Sequence, residues 1–127
     1  MSYTIQVYRD KSIIWQTLGT EYDFATDVGA AISEEIQILN AASKPMVIVI
    51  DMRPLQLDWN GILFLASHGV PQEINNHPQL CKIILISTDE VIAESAKGLD
   101  SQPFGFVKLD IVASSEAALT RARALLS

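Results

Sequence analysis

With 127 residues, 49% of them hydrophobic and 19% charged, the chain has the size and composition of one folded domain able to bury a core without disulfide or metal staples. A net charge of −6 disfavours nucleic acid and, more weakly, anionic membranes, because phosphate binding needs clustered Lys and Arg and the nine basic residues are scattered. A single cysteine, Cys81, excludes an intrachain disulfide; together with an N-terminus, MSYTIQVYRD, that shows no basic-then-apolar leader, and with no apolar run near the roughly 20 residues of a membrane span, it points to the cytoplasm.

Tyr3–Tyr8 alternates with the period of a half-buried strand, Arg9–Ser12 is polar turn material, and Ile13–Leu18 resumes a β-branched and aromatic run. Two such runs across a short polar turn predict an antiparallel hairpin, ended by Gly19. Asp23 or Thr26 caps the next helix, which runs to about Ala42. Val28, Ile32, Ile36 and Leu39 form its apolar stripe, and Glu34, Glu35 and Gln37 take the other side. Gly29 is a poor helix former and reads as a close-packing position.

Met46–Ile50 (MVIVI) has no alternation at all, which predicts a central strand covered on both faces, with Asp51 at its C-terminal end. Met52–Asp58 is a loop, since Pro54 disfavours continued pairing. Trp59 or Asn60 opens a helix that carries on to about Asn76, with a kink or break at Gly69 and Pro71. His77–Gln79 is a turn. Lys82–Ile86 is a second buried strand, preceded by Cys81 and ending at Ser87 and Thr88. Thr88 or Asp89 caps a short helix to about Lys97, closed by Gly98. Phe106–Val112 alternates as a less buried strand, and Ser114 caps a last helix with Ala118, Leu119, Ala122 and Leu125/Leu126 inward. Arg121 and Arg123 complement the dipole of that helix near its C-terminus. The order β-β-α-β-α-β-α-β-α predicts an α/β domain: a hairpin first, then βα units in a mostly parallel mixed sheet, with sites beyond the strands' C-terminal ends.

Catalysis is not what these residues advertise. There is no Gly-x-Ser-x-Gly elbow, no glycine-rich nucleotide loop among the six dispersed glycines, and no cluster of metal ligands. The histidines, His68 and His77, stand near a helix end and in a turn, and Cys81 reads as a core thiol. No enzyme activity, cofactor or metal is expected. One alternative is a receiver-like phosphoacceptor at Asp51, with Thr88 and Lys108 following in receiver order. Its magnesium site, however, needs acidic residues after the first strand, where only Asp10 stands. Asp58-Trp59-Asn60-Gly61 offers a different possibility, a helix N-terminus that would attract a partner's anionic group. Asp58 or Asn60 also serves as an ordinary cap there, and Trp59 is either a core anchor or an exposed hot spot.

These residues carry a family resemblance over nearly the whole chain. Gly19-Thr20-Glu21-Tyr22-Asp23-Phe24-Ala25-Thr26 is similar to the Gly-Glu-Leu-Asp-Leu-Ala-Thr lead-in to the first helix of STAS domains, the fold of bacterial anti-sigma factor antagonists. MVIVID resembles that family's strand ending in Leu-Asp, and Asp58-Trp59-Asn60-Gly61 stands in the place of its Asp-Ser-Ser-Gly. Ser87 before the short helix and SSEAAL at the last one fit the same order. The resemblance implies a STAS-like single domain over residues 1–127 that binds a protein partner, a regulatory kinase or sigma-pathway protein. Phospho-regulated members carry a serine after the motif's aspartate, where added charge releases the partner. Here Trp59 and Asn60 hold those positions and neither accepts phosphate, and the loop from Asp51 to Asp58 is one residue short of the pattern. The implied function is therefore a signalling interaction module without a serine phosphoswitch. Its contact residues would be Asp58, Trp59, Asn60 and Gly61, with Asp51, Ser87 and Thr88 at the rim. Another alternative is a STAS-like binder of a small apolar ligand, opened by the kink at Gly69–Pro71. Homodimerisation is left open, with no sequence feature that specifies it.

Overall fold

A computed structural model describes residues 3–8, 12–22, 27–54, 76–88 and 109–126. In chain order these form β1 (Tyr3–Tyr8), β2 (Ile13–Leu18), α1 (Asp27–Ala41), β3 (Met46–Asp51), β4 (Leu80–Ile86), β5 (Leu109–Val112) and α2 (Ser115–Leu126). The predicted helices beginning at Trp59 or Asn60 and at Thr88 or Asp89, the kink at Gly69–Pro71, and residues 106–108 of the last predicted strand lie outside the described residues.

The strands make one sheet in the order β1-β2-β3-β4-β5. β1 and β2 are antiparallel, in register from Tyr3↔Leu18 to Tyr8↔Ile13, and each later neighbour is parallel. The α/β class, the opening hairpin and the mostly parallel sheet are as the pattern of elements predicts. Ser12 closes the hairpin turn with a left-handed backbone (φ 56°), and its carbonyl accepts the Val47 amide at 3.0 Å, tying the hairpin to β3.

β3 sets the layering. Its side chains alternate faces, and both faces are apolar, so each must be covered. Met46 and Ile48 join Ile14, Leu80, Ile83 and Leu39 of α1 in one cluster. Val47 and Val49 join Ile13, Ile84, Ile86 and the small inner residues Ala118 and Ala122 of α2 in the other. The alanines let α2 lie close to β3 and β4, while Leu119, Leu125 and Leu126 pack at its flanks. Ser114 caps α2 as predicted, its Oγ accepting the Ala117 amide at 3.1 Å.

Three expectations are corrected. β4 begins at Leu80, so Cys81 lies inside the strand. Met46 pairs with Leu80 and Val47 with Lys82, which leaves Cys81 as the extra residue of a bulge. The Cys81 thiol packs half-buried on the α2 side, 3.8 Å from the Leu125 carbonyl. Glu35, assigned to the outer side of α1, is instead buried with 3% of its surface exposed. The fully covered line of the helix is Ala31, Glu35 and Leu39, with Ile32, Ile36, Ile38 and Ala42 half-buried around it. Gly29, read as a close-packing position, is exposed, and a Cβ built there meets nothing within 4 Å.

Because Gly29 has open space and sits inside a helix, its only energetic role is the backbone entropy it loses on folding. Gly29→Ala is expected to stabilise the protein by about 0.5–1 kcal/mol in chemical denaturation. A loss of stability would mean that the position is packed after all.

Candidate functional site

The parallel strands end side by side. Thr17 of β2 pairs with Asp51, Asp51 with Ile86, and Ile86 with Val112, so the residues that follow line one edge of the sheet. Backbone bonds hold the exits together: the Met52 amide donates to the Ile86 carbonyl and the Ser87 amide to the Val112 carbonyl, each at 3.0 Å. In parallel α/β sheets this C-terminal edge is where ligands and partners are received. The consecutive strand order never reverses, however, so the described sheet lacks the crevice that a reversal of strand order opens. It presents an edge rather than a cleft.

Asp51 is the organising group of that edge. As the last residue of β3 it points to the α2 side and is 7% exposed. Its Oδ1 accepts the Arg53 amide at 3.1 Å and Arg53 Nε at 2.9 Å, and its Oδ2 accepts Arg53 Nη2 at 2.7 Å. The amide bond folds the chain back after the strand in an Asx-type turn, and the two guanidinium bonds make a forked ion pair. Arg53 Nη2 also donates to Ser115 Oγ at 2.8 Å, which links the end of β3 to the first turn of α2. Burial works against the Asp51 carboxylate, but the hydrogen bonds from the Arg53 side chain and amide and its positive charge outweigh it, so Asp51 is held below the ordinary aspartate range.

Of the rim residues read from the sequence, the structure brings Asp51 and Ser87 to this edge beside Thr88. Ser87 is half-buried and Thr88 exposed. Asp58, Trp59, Asn60 and Gly61 lie outside the described residues, as do Lys108 and His68. Sequence reasoning missed Arg53 and Ser115. The signal for Arg53 was present as an Asp-x-Arg pair immediately after a strand, but a two-residue spacing in a loop specifies no geometry. Ser115 was hidden behind its neighbour Ser114, which does the capping.

The other sequence candidates have structural roles. His77 Nδ1 accepts the Gln79 amide at 3.1 Å, so its Nε2 carries the proton that reaches Asn40 Oδ1 at 2.7 Å. That turn joins the C-terminal end of α1 to β4, since the Gln79 side chain also donates to the Ala42 carbonyl at 3.3 Å. Arg121 Nε donates to Asp110 Oδ2 at 2.9 Å, with Lys82 Nζ 3.8 Å from the other oxygen, so this arginine fastens α2 to β5. Among the described residues no three His, Cys, Asp or Glu side chains are grouped to hold a metal ion, and no helix is long and apolar enough to cross a membrane. No protein-family model matches the chain, and no curated protein matches it.

The Asp51–Arg53 fork makes a checkable statement about stability. Arg53→Ala removes both guanidinium donors from a mostly buried carboxylate, leaving it the backbone amide of residue 53, and is expected to destabilise the fold by about 1–2 kcal/mol at pH 7, the lower part of the range because Arg53 itself lies at the surface. Asp51 has a depressed folded-state pKa, so its contribution is present above the usual value of 3.8 and is lost as pH falls through the depressed one. The difference between wild type and Arg53→Ala, followed by urea denaturation, should shrink steadily below pH 3.8. A difference that persists there would mean Arg53 acts through packing and not through this carboxylate.

Proposed function

We propose that the chain is a non-enzymatic protein-interaction module of bacterial-type regulation, STAS-like and without a serine phosphoswitch, that meets its partner across the C-terminal edge of the sheet. The observation that carries this reading is the edge itself: strand ends held in register, with Arg53 and Thr88 exposed on it and its central carboxylate committed to an internal ion pair. A surface of that kind has a fixed shape and mixed polarity, which suit recognition. The hairpin-first order of elements supports the STAS-like assignment, because the same order underlies the resemblance of MVIVID and the Gly19–Thr26 segment to that family. Asp58, Trp59, Asn60 and Gly61 come after the end of β3 with six residues between in the sequence, which makes them the contact residues of this reading. With Trp59 and Asn60 where phospho-regulated relatives place serine, binding is constitutive or controlled elsewhere. The partner class is a regulatory kinase or sigma-pathway protein.

The receiver-like alternative gains nothing from this geometry, since a phosphoacceptor carboxylate must be available to magnesium and to a phosphoryl donor, while both oxygens of Asp51 accept from Arg53.

A photo-reactive residue placed at Thr88 in the source cells tests the proposal against one at Tyr8. Tyr8 is also exposed but lies at the opposite end of the sheet, paired with the first residue of β2. A defined protein adduct from position 88 and none from position 8 is the expected outcome. Adducts at position 8 alone, or at neither position, contradict contact at this edge.

A further inference from the structure

The side of the sheet under α1 carries a group that the edge does not use. Glu35 sits in the middle of the buried arc of α1, between Ala31 and Leu39, with 3% of its surface exposed. Charged side chains are almost never this covered unless paired. Below it, β3 and β4 offer only apolar side chains to this face, Met46, Ile48, Ile50 and Ile83. β2 contributes Gln16, itself 2% exposed and hydrogen-bonded to Tyr22 in the turn that follows the strand. Tyr22 meets Tyr3 of β1 edge to face, with ring centroids 6.0 Å apart.

Among the described residues the charged and titratable groups acting in this cluster are Glu34, Asp27, Tyr3 and Tyr22; none of these is a cation, and no described Lys, Arg or His pairs with Glu35. A carboxylate here would sit in low dielectric among like charges, so the neutral acid is the form that suits the site. We propose that Glu35 is a proton-operated catch for α1: as the neutral acid it seats the helix on the sheet, and as the carboxylate it releases the helix toward solvent.

The direction of the effect follows from burial. Removal from water, with the neighbouring Glu34 charge adding to it, pushes the Glu35 carboxyl up to about 8 from its usual 4.5. Burial and then the charges of Glu35 and Asp27 push the Tyr22 phenol up as well, so Tyr22 stays neutral while Glu35 titrates. For a group whose folded-state value is raised, the stabilising effect is full below 4.5 and declines as pH rises, reaching its floor once pH has passed about 8. Release is therefore an alkaline event, and it concerns α1 rather than β3 and β4, whose cores α2 also holds.

Amide hydrogen exchange on wild type, Glu35→Gln and the exposed control Glu116→Gln on α2 at pH 6 and pH 9 tests this, after correction for intrinsic exchange rates. Wild type and Glu116→Gln should lose about tenfold or more of their α1 protection, relative to β3 and β4, at the higher pH. Glu35→Gln, which keeps the shape and cannot ionise, should hold α1 protection constant. If wild-type α1 protection is as constant as that of Glu35→Gln, or if Glu35→Gln loses it in parallel with wild type, the catch is overturned. Should Glu35→Gln fail to fold, the wild-type protein still decides the matter through its side-chain carboxyl carbon signal. A Glu35 midpoint near 8 supports the catch, and one near 4.5 overturns it.

Discussion

A strand that is apolar on both faces has to be covered on both faces, and Met46–Asp51 imposes that condition on everything around it. β3 pairs in parallel with β2 on one side and β4 on the other, so no ladder group in its middle faces water. Its odd and even residues each demand a helix. α1 answers on one face with long aliphatic side chains, and α2 on the other with Ala118 and Ala122, which bring the helix close. Moving the strand by one residue would exchange its two faces and put Asp51 into the aliphatic layer under α1, so the register is strongly specified. With the register set, Asp51 emerges on the α2 side, within reach of Arg53 and through it of Ser115.

That chain of consequences joins the core to the edge. Asp51 ends β3, its accepted amide bond turns the backbone, and its ion pair carries the turn across to the first residue of α2. The stretch after β3 therefore leaves the sheet from a braced position. Under the proposed role as a contact surface, bracing of this sort lowers the entropy lost when a partner docks. Glu35 makes the opposite kind of contribution. Among the described residues it has no cationic partner, and departures from the rule that buried ionisable groups are paired are where a fold holds something in reserve for function.

Much of this was legible in the residues. The alternation of Tyr3–Tyr8 and Ile13–Leu18 and the unbroken apolar run of β3 respond to burial on one face or on two, which is a strong local signal. The α2 stripe and its Ser114 cap were equally plain. What stayed hidden depends on tertiary placement. The stripe of α1 was drawn through Ile32 and Ile36 because aliphatic residues mark a buried face, but the covered line runs through Ala31, Glu35 and Leu39, and a glutamate in that line reads as solvent-facing until the sheet beneath it is seen. Gly29 looked like a contact position for want of any knowledge of its surroundings. The bulge at Cys81 arises from pairing with β3 and has no signature in β4 alone. The Arg53–Ser115 bond spans 62 residues, a separation at which nothing in the local pattern connects the two.

The central claim is that the C-terminal edge of the sheet is a braced contact surface and not a reacting one, with Asp51 as a structural ion-pair member. Exposure of the protein to acetyl phosphate and Mg²⁺, followed by mass spectrometry of the peptide containing Asp51, tests it most directly. The account predicts an unmodified Asp51, since Arg53 occupies both carboxylate oxygens. A magnesium-dependent, hydroxylamine-sensitive phosphate on Asp51 would contradict it and make the edge a site of chemistry.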